Sequence, residues 1–146
     1  MTFSMFLGLL LVSGTTVGAS AQPRGSGYAD ADQNYTLAYK KSVEEQKPLM
    51  VVVGAEWCPA CKVLKTTTIA NMEQTGELDS VSVAVVDRDA EPELAKKLMK
   101  DEKMIPQIIL YHKSSDGRWN RRRLTGYQPV QPVRSLLRRI RGIGRG

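Results

Sequence analysis

The sequence predicts an α/β domain: a mixed central β-sheet flanked by helices on both faces. Three observations carry that expectation. Two β-branched runs, residues 49–53 and 81–86, are separated by a stretch long enough for a crossover helix, as two parallel strands require. Two later runs, residues 108–111 and 118–125, flank Ser114-Ser115-Asp116-Gly117 and read as an antiparallel hairpin. The chain has 146 residues, 42% hydrophobic and 25% charged, which suits one soluble core and excludes disordered, collagen-like and multi-span membrane classes.

In order, residues 3–12 are almost wholly apolar and lead through Ser, Gly and Thr to Ala19-Ser20-Ala21, the layout of a secretory signal peptide cleaved after Ala21. An apolar run of about ten residues is too short to span a bilayer, which takes roughly 20. The reading is export and cleavage into a periplasmic or secreted location, in preference to an uncleaved membrane anchor. The n-region departs from pattern in lacking Lys or Arg. Residues 22–30 read as a Pro/Gly/Ser linker, residues 31–142 as the folded domain and residues 143–146 as a basic Gly-rich tail.

Asp30 and Asp32 are candidate N-caps, and Tyr35, Ala38, Tyr39 and Val43 recur at helical spacing until Lys47-Pro48, which predicts a helix over 32–46. The unbroken apolar run 49–53 between Pro48 and Gly54 predicts a strand buried on both faces. Residues 58–72 continue as a helix, with Thr66-Thr67-Thr68 lowering its propensity. Residues 81–86 form the next strand. Asp89 is expected to cap a helix with Pro92 in its first turn and Leu94, Ala95, Leu98 and Met99 on its apolar face, ending near Lys100. In the strand 118–125, alternation sets Trp119, Arg121 and Arg123 against Asn120, Arg122 and Leu124, and neither face is clean, which predicts an edge strand. Val130, Val133, Leu136, Leu137 and Ile140 then mark an amphipathic helix whose opposite face is Arg134, Arg138 and Arg141.

The net charge of +6 is unevenly placed. Residues 22–116 hold 12 basic and 15 acidic side chains, whereas residues 118–146 hold nine arginines and no acid. Such a segment could bind an anionic partner through its field, but it lacks interleaved aromatics, so a solvated strand and helix face with no nucleic-acid partner is expected. The one histidine, His112, is expected to be structural, at the surface or half-buried. Two cysteines and one histidine cannot build a four-ligand zinc site, an iron–sulfur cluster or a multi-disulfide scaffold. No metal or organic cofactor is expected.

Trp57-Cys58-Pro59-Ala60-Cys61-Lys62 falls where the first strand hands over to a helix. Two cysteines three apart can close a small disulfide there, and the first meets the helix's unpaired amides and positive dipole end. Both favour its thiolate, the attacking species. Cys58 is therefore the candidate nucleophile and Cys61, one turn further in, the resolving thiol. As a mere staple so small a loop would stabilise little. Pro59 fixes the backbone of the first turn. Trp57 and Pro59 are candidates for an apolar rim that receives substrate.

The run from Ala55 to Lys62, followed 44 residues after Cys61 by Ile105-Pro106 at the head of a strand, resembles the thioredoxin superfamily over most of residues 28–140, and the leader resembles its exported members. The resemblance implies a thioredoxin-like fold, thiol–disulfide exchange on protein disulfide or dithiol substrates, a cis Pro106 beside the disulfide, and an Ile105 backbone that pairs with an extended substrate peptide. A membrane-bound redox partner, a monomeric state and no stable membrane insertion after cleavage are expected with it. The chain departs from the thioredoxin pattern in two places. Val52, six residues before Cys58, stands where thioredoxins carry a buried aspartate, with Glu56 and Asp87 as unranked substitutes. Pro59-Ala60 replaces the Gly-Pro of reducing thioredoxins and resembles glutaredoxins and Dsb-type oxidases, so reductase, oxidase and isomerase directions all stay open. The Gly-Gly pair that seats glutathione in glutaredoxins has no counterpart after Pro106, and Lys62 occupies the position where haem attachment needs His. The competing reading is a non-enzymatic binding module that uses the basic C-terminal surface, with the cysteines as a redox sensor.

Overall fold

Helix α1 (Tyr35–Glu44) opens the fold in the computed structural model of the chain, which describes residues 34–143. Its N-cap is Asn34, whose side chain accepts from the Thr36 amide at 2.8 Å. The expected caps Asp30 and Asp32, the leader, the linker and the tail past residue 143 lie outside the described residues. The helix stops two residues earlier than its periodicity predicts, because Gln46 adopts φ 52° and the Ser42 hydroxyl donates to the Lys47 carbonyl at 2.7 Å, turning the chain toward Pro48.

Strands β1 (Leu49–Gly54), β2 (Ser82–Asp87), β3 (Gln107–Lys113) and β4 (Trp119–Thr125) form one sheet in the order β2-β1-β3-β4. β1 pairs parallel with β2 and antiparallel with β3, and β3 pairs antiparallel with β4. Val52 sits between Val85 and Ile108 in that register. Every residue of β1 is buried, as its unbroken apolar run predicts, while β4 is an edge strand with mixed faces. Alternation along the strands divides the core in two. Met50, Val52, Ile108 and Leu110 pack on one face with Leu64, Ile69, Met72, Val133, Leu137 and Ile140. Leu49, Val51, Val53 and Ile109 pack on the other with Ala38, Ala95, Leu98 and Met99.

The stretch predicted as one helix over 58–72 is three pieces: α2 (Pro59–Val63), a π-helical segment (Leu64–Ile69) and α3 (Ala70–Gln74). The threonines account for the break. Thr66 and Thr67 hydroxyls donate to the carbonyls of Lys62 and Val63 at 3.0 and 2.7 Å, the i−4 back-bonding that bends helices, and buried Thr68 donates to the Gln128 carbonyl at 2.7 Å. The wider turn therefore carries the helix from the cysteines to the core and ties it to the segment before α5 (Val130–Ile143).

Helix α4 (Pro92–Met99) has its N-cap two residues after the cap that the sequence suggests. Its N-cap position is Glu91, without a side-chain bond, and Asp89 faces the disulfide loop instead. The arginine-rich end is exposed at Arg122, Arg123, Arg138, Arg139 and Arg141, as a solvated face implies, but several of its side chains also tie elements together. Arg121 and Arg123 donate to the carbonyls of Leu98 and Met99 at 2.7 and 3.0 Å, in the last turn of α4 where positive charge is favoured. Arg134 makes a two-point bond to Glu77 at 2.6 Å each, and Arg141 donates to the Glu77 carbonyl and the Ser80 hydroxyl. His112 is 4% exposed, deeper than expected, opposite Asn120 in the β3–β4 ladder.

Candidate functional site

Strand β1 delivers the chain to the site through Gly54, and a Cβ there would lie 3.2 Å from both Cβ and Sγ of Cys61. A larger residue there would need the Cys61 side chain to give by a few tenths of an ångström. Cys58 then occupies the N-cap of α2, with Pro59 at the first helical position as the sequence suggests. Its amide donates to the Ala55 carbonyl at 3.2 Å, and the Cys61 amide donates to the Cys58 carbonyl at 3.1 Å and to Cys58 Sγ at 3.2 Å. Cys58 and Cys61 are joined by a disulfide across a Cα–Cα distance of 5.2 Å. Cys58 is 5% exposed and Cys61 1%, so the outer sulfur is the one nearer solvent.

The loop before Cys58 is held from β2. Asp87, the last residue of β2, accepts from the Glu56 amide at 3.1 Å through one oxygen and from the amides of Asp89 and Ala90 at 2.8 and 3.1 Å through the other. Asp89 accepts from the indole Nε1 of Trp57 at 2.6 Å, fixing a ring that stays 66% exposed. Burial pushes the Lys65 ammonium down, while the neighbouring carboxylates of Asp87 and Glu56 oppose that shift. Val52 is a plain core residue, 1% exposed. Of the two acids considered in its stead, Glu56 is exposed, and Asp87 spends both oxygens on three backbone amides.

The Ile105–Pro106 peptide is cis, as the resemblance implies. Pro106 is buried, and Ile105 packs against the cluster of Ala55, Cys58 and Cys61. The Pro106 carbonyl accepts from the Gly126 amide at 2.8 Å, where φ is 80° and glycine is required. The structure thus brings Cys58, Cys61, Ile105 and Pro106 to one place, with Trp57 and Pro59 exposed at its edge. Met104, Val63 and Tyr127 add exposed apolar surface in the adjoining segments. Sequence reasoning gives Gly54 only as a strand boundary and Asp89 only as a helix cap, and passes over Gly126: a lone glycine at a strand end and an acid in a turn carry no chemical signature until the sulfur and the indole are placed. Among the described residues, no group of three or more His, Cys, Asp or Glu side chains could hold a metal, and no helix is long and apolar enough to cross a membrane.

A family model described as a thioredoxin-like domain matches residues 35–141. No curated protein sequence matches the chain. Among solved structures, a thioredoxin from Thermus thermophilus is similar with a TM-score of 0.62 at 23% identity, covering 77% of this chain and 87% of that one. Chloroplastic thioredoxin z is similar with a TM-score of 0.56 at 22% identity, covering 75% and 91%. The thioredoxin of Fasciola hepatica gives 0.55 at 22%, covering 75% and 96%. These likenesses show the fold, and the family match over most of the chain settles membership: the chain belongs to the thioredoxin superfamily.

Proposed function

We propose that the protein is an exported thiol–disulfide oxidoreductase whose working pair is Cys58 and Cys61. The observation that carries this reading is the disulfide between them at the N-cap of α2, with the Cys61 amide on Cys58 Sγ at 3.2 Å, in a domain of the thioredoxin superfamily. Once the pair is reduced, that amide and the helix terminus stabilise negative charge on Cys58. In the reducing direction the Cys58 thiolate attacks one sulfur of a substrate disulfide, forms a mixed disulfide and expels the other substrate sulfur as thiolate. Cys61, after losing its proton, attacks Cys58 Sγ, re-forms the observed disulfide and releases the second substrate thiolate. Two electrons pass from the protein to the substrate, and the same steps run backwards oxidise a substrate dithiol.

Trp57, Pro59, Ile105 and Pro106 form the receiving surface in this reading. Support for it comes from the exposed indole and from Ile105, whose N–H and C=O take no part in the loop and turn hydrogen bonds around them. Those two groups suit pairing with an extended peptide. The export half of the proposal rests on residues 3–21. A mature protein whose N-terminus is Gln22 supports it, and a cytoplasmic protein that keeps Met1 overturns it. A reducing role then needs a membrane-bound partner that supplies electrons across the membrane.

The binding-module reading loses ground on one observation. Arg134 is paired with Glu77, and Arg121, Arg123 and Arg141 donate to backbone carbonyls, so one of these four charges is neutralised and the donors of the others are partly used within the fold. The test that separates the readings is Cys61→Ser, which is expected to accumulate mixed disulfides through Cys58 with several proteins. A module that binds through its arginines instead keeps its partner in both cysteine variants. Equilibration of the wild type against thiol buffers then assigns direction: below about −250 mV it is a reductant, and above about −180 mV an oxidant or isomerase.

A further inference from the structure

Strand β3 starts with a glutamine that the mechanism above does not use. Gln107 follows Pro106, is 0% exposed, and lies between Val53 of β1 and Thr125 of β4 in the ladder. Its Nε2 donates to two carbonyls of the preceding loop, Met104 at 2.8 Å and Glu102 at 3.3 Å. Turning the amide over would set its oxygen against both carbonyls, so the orientation is fixed. Its Oε1 is buried without a partner. A buried amide with one end unpaired costs stability, so the core alone gives no reason to place it here.

The same loop is held from its other side. Arg88, in the turn that follows Asp87, donates to the Lys103 carbonyl at 3.3 Å. Three successive carbonyls, at residues 102, 103 and 104, are therefore gripped alternately from the interior and from the turn whose Asp89 holds the Trp57 indole. The Met104 amide is closed off in turn by the Glu102 carboxylate at 3.0 Å. Ile105, the next residue, has its backbone left over.

We infer that Gln107 is a positioning residue: its buried amide fixes the 102–104 loop so that the Ile105 backbone is held ready to pair with an extended peptide substrate beside Cys58. This deepens the proposed oxidoreductase function and rests on it. Gln107 touches neither sulfur nor substrate; it acts by removing freedom from the loop, whose ordering would otherwise oppose each binding event. An interaction that serves only peptide alignment leaves the intrinsic reactivity of Cys58 alone. A residue needed only for the fold would impair both together.

The experiment uses the reduced, full-length mature protein and two disulfides with the same leaving group. One is an extended peptide joined through its single cysteine to thionitrobenzoate; the other is the symmetrical small disulfide of thionitrobenzoate. Gln107→Met keeps the length and loses the donor. It is expected to slow reaction with the peptide about tenfold, the scale of a small misplacement of reactants, while the small disulfide reacts within about twofold of wild type. Gln107→Asn, whose amide is withdrawn by one methylene, is expected to act in the same sense and serves if the methionine variant does not fold. An unchanged ratio of the two rates overturns the inference. A reduced wild type inert toward both disulfides overturns the oxidoreductase reading itself, and the positioning role falls with it.

Discussion

Two carboxylates hold the two ends of this domain, and they do so by different physics. At the disulfide end Asp87 collects backbone amides of Glu56, Asp89 and Ala90, fixing the chain that carries Trp57 and Cys58. At the arginine-rich end Glu77 is gripped by the guanidinium of Arg134, and Arg141 reaches its carbonyl, fastening α5 to the turn after α3. Backbone amides lie at fixed places and carry no net charge, so the first clasp gives position. Guanidinium groups sit on long side chains and carry full charge, so the second gives attachment that salt and acid can loosen. Position is placed where sulfur chemistry needs it, and attachment where a helix only needs to stay docked.

The largest effect should come from breaking the first clasp. Asp87→Ala removes a charged acceptor from three amides at once, which is expected to cost about 2–3 kcal/mol in denaturant unfolding of the oxidised protein. The three amides are neutral, so added salt should act only through the charge of the neighbouring Lys65 and remove a minor part of the loss. A loss that shrinks strongly with salt would mean that Asp87 acts as an ion-pair partner, and the contrast with Glu77 would fail.

Next comes the strand end. Gly54→Ala places a methyl 3.2 Å from Cys61 Cβ and Sγ, and the disulfide prevents that side chain from retreating. Overpacking of this kind costs about 1–3 kcal/mol. The penalty should be smaller after reduction, when Cys61 is free to shift, so unfolding of both redox forms checks it. Equal penalties in the two forms would show that the added methyl strains the strand and not the sulfur.

These positions also show what was legible in the residues alone. The run 49–53 announces a doubly buried strand because both faces are apolar, and Trp57 to Lys62 announces its chemistry because two thiols three apart at a helix start have few other uses. The sequence points to Asp89 as the cap of α4 because its side chain is cap-forming, and nothing local reveals that Asp87 takes its amide and Trp57 its carboxylate. The sequence predicts a continuous helix over 58–72 because threonine propensities are only mildly unfavourable, whereas the back-bonds that open the π turn depend on rotamers that composition does not encode. The sequence shows the arginines only as a solvated face because charge has no periodic partner in sequence. Glu77 lies 57 residues before Arg134, and only the packing of α5 brings them together.

Breaking the second clasp should have a smaller effect of a different character. The Arg134 bond holds the Glu77 carboxyl down to about 2, well below its ordinary value of 4.5. A carboxylate depressed by folding contributes stability above its unfolded value and loses it as pH falls through its folded one. Glu77→Gln should therefore lower Tm near neutral pH by less than Asp87→Ala does, and the difference from wild type should close between about 4.5 and about 2. Added salt should narrow it as well. Persistence of the full difference at pH 2 would mean that Glu77 acts through packing rather than charge.

The smallest effect belongs to the arginines that no carboxylate holds. Arg138 reaches only the Ser135 hydroxyl at 3.4 Å, and Arg138 and Arg139 are both exposed on α5, beside the buried Leu137 and Ile140. Neither closes a turn nor anchors an element, so the double change Arg138→Ser and Arg139→Ser should leave stability within about 0.5 kcal/mol. It should also leave thiol–disulfide exchange unchanged, since both lie on the helix fastened by Glu77 rather than on the loops fastened by Asp87. A loss of exchange with a protein substrate at unchanged Tm and unchanged small-disulfide rate would make this surface a second recognition site. The charge that the sequence concentrates in its last fifth would then have two duties, holding α5 on one side and meeting an acidic client on the other.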